Sequence, residues 1–263
     1  FDLLEAKDDE AKKDLFKCLL CGRCTMVCPR GIRNDIVVER LRELQVKRDG
    51  LPKVKSLVFR HLLSNRKTMA KAIRLAAQAQ KLLPAEKVVA LGVATVRHLP
   101  LFFSGLMKDR RLPAVASEFL FEKLPEVNPA PVAKSKIRVA YFVGCATEFV
   151  LPASGEAIVR VLNEVGVDVV IPKEQGCCGL AVHVNGDIET ATAMALHNLK
   201  VLEQVECDYI ITSCATCGSA LRDIWPRLAR TPEEKKRFEA LAAKVRDASE
   251  FILSFGFTDV FPY

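Results

Sequence analysis

The chain has 263 residues, half of them hydrophobic and 27% charged, with ten cysteines and a formal charge of +7. That is enough apolar material for a packed core and for one to two domains, and it excludes a disordered chain, a collagen-like repeat and a small disulfide scaffold. The charge is uneven: residues 1–50 carry a net +1, residues 51–111 a net +11 and residues 112–263 a net −5.

Residues 1–50 hold a cysteine quartet followed by a helix. Asn34 is the expected N-cap, Ile36, Val37, Leu41 and Leu44 recur at helical spacing, and Gly50 closes the segment. Residues 51–111 are the basic region, helical in period through Leu57, Leu62, Leu63, Met69, Ile73, Leu75 and Ala76, with Pro84 and Pro100 as punctuation. The nearest approach to a membrane span, Val88 to Met107, is broken by Arg97, His98 and Pro100. Residues 112–135, with Pro113, Pro125, Pro129 and Pro131, suit an extended linker.

Residues 136–263 alternate. Lys136–Val143, Val167–Ile171 and Asp208–Thr212 read as strands, and Ala153–Val165, Asp187–Val205 and Ser219–Leu228 as helices. Thr231-Pro232-Glu233-Glu234 is a capping box that opens a last helix towards Phe255. The pattern predicts an α/β unit with a doubly wound parallel sheet behind a helical N-terminal segment and a helical middle. Opening on Phe1 rather than Met, the sequence reads as a fragment of a longer chain.

Tight C-x-x-C spacings in a chain of this size read as metal ligands kept reduced in the cytosol rather than as disulfides. Cys18-x2-Cys21-x2-Cys24-x3-Cys28-Pro29 reproduces the bacterial run that ligates a [4Fe–4S] cluster. The two-residue spacers bring successive sulfurs to neighbouring irons, and the proline ends the loop. A structural zinc site is the alternative, but zinc sites usually come as two C-x-x-C pairs separated by a longer loop. Cys28 either completes this cluster or serves a second one whose other ligands lie before Phe1. The helix Asn34–Arg48 resembles that of the helical ferredoxin domain of heterodisulfide reductases, where two clusters are normal and this motif is the second.

Cys145 follows the first predicted strand, Cys177 and Cys178 the second, Cys214 and Cys217 the third. Parallel strands share a carboxyl edge, so five thiols meet where open α/β sheets bind ligands. This pattern resembles the CCG (cysteine-rich) domain of the heterodisulfide reductase catalytic subunit and of the iron–sulfur subunits of glycolate, lactate and anaerobic glycerol-3-phosphate dehydrogenases. The resemblance covers residues 15–50 and 136–254. It implies that Cys145, Cys177, Cys178, Cys214 and Cys217 hold a non-cubane [4Fe–4S] cluster; variants in the family hold a cubane or zinc. Well-known members carry two CCG repeats, and a second would begin just after Tyr263.

Of the remaining candidates, Cys207 reads as a core residue. His183 is either a satisfied loop histidine or a proton donor to a product thiolate. His61, His98 and His197 are assigned no chemistry. Glu148 reads as solvated and Trp225 as a helix-end packing residue. The basic region is either a solvated face or a docking surface for an acidic partner or anionic lipid. No nucleic-acid-reading motif accompanies it, and no Rossmann glycine fingerprint follows a strand, so neither nucleic acid nor a nicotinamide or flavin on this chain is expected. The resemblance implies an electron-transfer subunit of a multi-subunit oxidoreductase, cytoplasmic or attached to the inner membrane face through flavin-, iron–sulfur- or quinone-reactive partners. It either reduces a disulfide or relays electrons from a flavin subunit that oxidises a 2-hydroxy acid. A zinc-stabilised interaction module is the third reading.

Overall fold

A computed structural model of the chain describes residues 13–82, 88–90, 93–97, 111–131 and 137–254. Pro84, His98, Pro100, Lys136 and Phe255 lie outside the described residues. Helix α1 (Arg23–Met26) sits inside the cysteine quartet and α2 (Asn34–Asp49) follows it. Asn34 is the first residue of α2 rather than its cap. Asp35 ties the helix start instead, accepting hydrogen bonds from Thr25 Oγ1 (2.8 Å) and Arg33 Nη2 (2.7 Å). Gly50 closes the helix, its N–H donating to the Val46 carbonyl (2.9 Å).

The basic region continues as α3 (Lys53–Leu57), a wide π-helical turn (Val58–Leu63) and α4 (Arg66–Leu82). It is not helical throughout: β1 (Val88–Ala90), β2 (Val93–Arg97) and β3 (Arg111–Pro113) form a small antiparallel sheet in that order. Their valines and threonine favour extended backbone, and apolar runs this short cannot be told from helix by periodicity.

The segment 112–135 is expected as an extended linker, but its described part, residues 112–131, runs from β3 onto the C-terminal unit. Phe119 and Leu120 are buried, the latter in α5 (Leu120–Lys123), and β4 (Val127–Asn128) joins a sheet edge. Pro125 and Pro129 flank that two-residue strand, where a missing N–H costs no ladder bond. Burial of the apolar pair ahead of the prolines overrode the linker-like composition.

The main sheet is built from β5 (Arg138–Tyr141), β6 (Asp168–Val170), β7 (Tyr209–Thr212) and β8 (Val245–Asp247), in the order β4-β6-β5-β7-β8. All its pairings are parallel except that of β4 with β6. The three predicted strands are present. Strand β8 interrupts the expected last helix, because Val245 is fully buried beside Ile210 while Arg246 and Asp247 keep the sheet edge polar.

Side chains alternate across the sheet. Val139, Tyr141 and Ile211 join Leu162, Val169 and Phe251 on one face, while Ala140 and Ile210 join Leu199, Trp225 and Phe238 on the other. Each fully buried Leu, Ile or Phe contributes about 1.5–3 kcal/mol of transfer free energy. The helices that supply these residues begin with α6 (Cys145–Phe149), α7 (Pro152–Glu164), α8 (Leu180–His183) and α9 (Ile188–Glu203). Next comes α10 (Ala215–Ser219), which widens into a π turn (Ala220–Ile224) and tightens to a 3-10 turn (Trp225–Leu228) where Pro226 intervenes. Then follow α11 (Pro232–Lys244) and α12 (Ala248–Ser254). Asp187 caps α9 by accepting from the Thr190 N–H (3.1 Å), and Thr231 caps α11 by accepting from the Glu234 N–H (3.1 Å).

Helix α2 joins the N-terminal segment to this unit through one buried side chain. Arg42, 4% exposed, donates to the carbonyls of Leu15 (2.9 Å), Cys18 and Val184 (2.8 Å). Opposite it, Gly186 adopts φ +86°, and a Cβ there would come within 2.6 Å of the Arg42 carbonyl oxygen. Gly186→Ala is therefore expected to destabilise the chain by on the order of 1–3 kcal/mol. A lowered urea midpoint with α2 cleaved early in limited proteolysis checks this; an unchanged midpoint contradicts the close approach.

Candidate metal centre

The carboxyl edge of the main sheet carries all five cysteines of the second group. Cys145 opens α6 after β5, Cys177 and Cys178 lie in the loop after β6, Cys214 precedes α10 after β7, and Cys217 is inside α10. Their thiols meet in a row: Cys145 contacts Cys177, Cys177 contacts Cys178, Cys178 contacts Cys217, and Cys217 contacts Cys214. Cys177, Cys178 and Cys217 are buried, Cys214 is half-buried and Cys145 is exposed. Gly144 makes room for the row, because a Cβ there would sit 3.1 Å from Cys217 Sγ and 3.2 Å from Cys214 Cβ.

The electrostatics of this row are strained. Contact with Cys177 pushes the Cys145 thiol far above its usual range, and contacts with Cys178 and Cys214 do the same to Cys217. Cys177 is relieved by Cys145 but pushed up by Cys178 and by burial, to about 11. Contacts from Cys177 and Cys217 pull Cys178 well down, and Cys217 pulls Cys214 down to about 5. Cys145, Cys177 and Cys217 are thus pushed up while Cys178 and Cys214 are pulled down, because like charges this close cannot all ionise. Five thiolates need positive charge among them, which fits a polynuclear metal group. Among the described residues no three His, Cys, Asp or Glu side chains close on a common centre for a single ion.

Hydrogen bonds hold the row's backbone. Gln175, fully buried, accepts from the Val143 N–H (2.7 Å) and donates to the carbonyls of Tyr141 (3.1 Å) and Pro172 (2.9 Å). Asn198, also fully buried, accepts from the Gly176 N–H (2.7 Å) and donates to the Cys177 carbonyl (2.9 Å). Trp225 packs under α10 and donates its indole N–H to the Cys178 carbonyl (3.0 Å). Gln175 and Asn198 are not singled out by sequence; an amide next to the Gly-Cys-Cys-Gly run was the one available signal for Gln175.

The first group lies on the loop around α1, with Cys18, Cys21 and Cys24 exposed and Cys28 half-buried. Leu20 (φ +53°) and Gly22 (φ +71°) turn this loop through left-handed backbone, and the Leu20 N–H donates to Cys18 Sγ (3.5 Å). A leucine held there costs of order 1–3 kcal/mol, a cost that marks a functional loop. Arg42 ties the Cys18 carbonyl to Val184, at the end of the short helix that follows Cys178.

Two expectations change. Glu148 is not solvated: it is 3% exposed and lies 3.4 Å from Arg66. His183 is buried and turned to α2 rather than lodged in the thiol row, its Nε2 3.4 Å from Glu39 Oε2. Burial would raise Glu39, but His183 and Arg227 (2.8 Å) outweigh it and hold the carboxyl below its usual range. Part of the basic surplus also lies against the C-terminal unit: Lys55 reaches Asn185, Arg60 Asp187, Arg66 Glu148 and Arg74 Glu122, with only the Arg66 pair buried. Cys207 lies before the amino end of β7, away from the thiol edge, and packs against the core with its carbonyl accepting from Lys244 Nζ (2.9 Å).

Residues 11–34 match the 4Fe-4S binding domain family and residues 139–222 the cysteine-rich (CCG) domain family, and together these spans enclose all nine clustered cysteines. This chain is 29% identical to an uncharacterized iron-sulfur protein of Methanococcus maripaludis over 99% of its own length and 41% of the relative's. It is 28% identical to a probable glycolate oxidase iron-sulfur subunit of Bacillus subtilis, over 95% of this chain and 56% of that one. It is 25% identical to one subunit of the dihydromethanophenazine:CoB–CoM heterodisulfide reductase of Methanosarcina barkeri, over 84% of this chain and 44% of that one. The chain thus spans roughly half the length of these curated relatives. No solved structure matches it. Among the described residues no helix is long and apolar enough to cross a membrane.

Replacing Cys207 with Ser is expected to leave the iron content of the anaerobically reconstituted chain unchanged, whereas Cys217→Ser lowers it. Iron and acid-labile sulfide assays on both variants check this, and an iron loss in the Cys207 variant would contradict the partition of the cysteines.

Proposed function

We propose that this chain is an iron–sulfur electron-transfer unit of an oxidoreductase complex. In this reading Cys18, Cys21, Cys24 and Cys28 hold a [4Fe–4S] cluster, and Cys145, Cys177, Cys178, Cys214 and Cys217 hold a non-cubane [4Fe–4S] cluster or a family variant of it. When bound, such clusters supply reversible one-electron storage that no side chain of the chain offers. The observation that carries the reading is the convergence of five thiols on one sheet edge, with the loop of the first quartet anchored to the same unit through Arg42. Arg42 orients both loops, Gln175 and Asn198 keep the thiol row in shape, and the buried side of the row excludes water.

Within that role we favour a relay fed by a flavin subunit that oxidises a 2-hydroxy acid, delivering to a quinone-reactive or other redox partner. His183, read either as a satisfied loop histidine or as a proton donor to a product thiolate, faces Glu39, and the Bacillus subtilis relative is named as an iron-sulfur subunit of a glycolate oxidase. Disulfide reduction is the second reading, supported by the exposure of Cys145, which leaves one end of the row open to a substrate, and by the name of the Methanosarcina relative.

Freeze-quench EPR on the reconstituted chain separates the two. The relay predicts rapid cluster reduction by a flavoprotein fed with lactate or glycolate, and no new paramagnetic species when a thiol is added under oxidising conditions. A species that appears only with thiol would overturn the relay in favour of disulfide chemistry. Zinc at stoichiometry with little iron would overturn both.

A further inference from the structure

Arg66 opens α4 in the basic region, yet its side chain is only 10% exposed and reaches into the C-terminal unit. The guanidinium lies 4.0 Å from the ring centroid of Phe121 and 5.7 Å from that of Phe149. Its Nη2 is 3.4 Å from Glu148 Oε2, and its Nη1 donates to the Gln175 carbonyl (3.4 Å). Glu148 belongs to the helix that Cys145 begins, and Gln175 stands two residues ahead of Cys177. One cation therefore clamps both segments that carry the open end of the thiol row.

Further charges are packed around it. Glu148 is 3% exposed and accepts from the Phe121 N–H (3.2 Å), while Lys173 approaches the other side of the same phenylalanine, its Nζ donating to the Phe121 carbonyl (3.0 Å) and lying 4.9 Å from the ring centroid. Lys173 also faces Glu126 besides Glu148, so two cations and two carboxylates meet here. Arg66 Nε and Nη2 are buried with no hydrogen-bond partner among the described residues. A buried cation is held by the negative charge around it, and the two segments that Arg66 clamps carry the thiols of Cys145 and Cys177. Burial pulls the Arg66 guanidinium down, and Glu148, Cys145 and Cys177 oppose that pull.

We propose that Arg66, held in place by the Gln175 carbonyl and the Phe121 and Phe149 rings, is a positioning residue that raises the reduction potential of the cluster bound at Cys145 and Cys177. The proposal rests on the function proposed above. A thiolate-ligated cluster gains negative charge on reduction, so a fixed cation beside it stabilises the reduced state and a fixed carboxylate opposes it.

The test is a potentiometric EPR titration at pH 8 of the full chain and its variants, each reconstituted anaerobically and assayed for iron. Arg66→Gln is expected to shift the midpoint of the second cluster to more negative potential. Glu148→Gln is expected to shift it to more positive potential, and Arg66→Lys to stay near the unsubstituted chain. The cluster at Cys18–Cys28 serves as internal reference and should not move. A purely structural role would not give shifts of opposite sign, and Glu148→Gln with Arg66→Lys keep the test decisive if Arg66→Gln does not fold. Shifts of the same sign, no shifts, or equal movement of the reference would overturn the proposal alone. An unsubstituted chain that takes up no cluster on the five thiols would overturn the functional reading, and the proposal with it.

Discussion

Mutual repulsion among five thiolates crowded onto one sheet edge is the constraint around which the C-terminal unit is arranged. Parallel strands β5, β6 and β7 end together, so the loops that leave them bring Cys145, the Cys177–Cys178 pair and the Cys214–Cys217 pair into contact. Contact among the thiols pushes Cys145, Cys177 and Cys217 up and pulls Cys178 and Cys214 down, since like charges this close cannot all ionise. Holding such a row in register falls to rigid neighbours: the buried amides of Gln175 and Asn198, the indole of Trp225, and the bare Cα of Gly144. The three side chains grip backbone rather than sulfur, so the sulfurs are left free to bind.

The same logic of charge runs through the rest of the chain. The basic region and the acidic C-terminal unit, opposite in sign along the sequence, meet through Arg60, Arg66 and Arg74 against Asp187, Glu148 and Glu122. The exposed pair of Arg74 and Glu122 contributes at most about 1 kcal/mol. The buried pair of Arg66 and Glu148 matters through specificity, since removing one partner strands the other. Arg42 does the equivalent work for the N-terminal segment by satisfying three carbonyls from two parts of the chain, and Glu39, His183 and Arg227 extend that contact.

Much of the site was legible in the sequence because cysteine spacing is chemistry written locally, and strand–helix alternation predicts which loops share an edge. The strands at β5, β6 and β7 and the caps at Asp187 and Thr231 followed from the same local rules. What stayed hidden depended on burial. Strand β8 is three residues long and leaves no period; the segment around Phe119 and Leu120 looked like linker because of its four prolines. Glu148 and Arg66 are ordinary charged residues in sequence, and only the packing of α4, α5 and α6 makes them buried partners. His183 lies close to Cys178 in sequence, yet the turn through Gly179 directs it to the opposite contact with α2.

The central claim is that two separate thiol sets hold two separate redox centres, and cluster loading of variants reads it most directly. The chain is reconstituted anaerobically, and EPR with iron, sulfide and zinc analysis is run on the unsubstituted protein and on variants with serine at Cys18, Cys21, Cys24 and Cys28, or at Cys145, Cys177, Cys178, Cys214 and Cys217. Two distinguishable signals, each removed by one set of substitutions and kept by the other, are the predicted result. A single signal lost with either set, or zinc bound in place of iron, would contradict it.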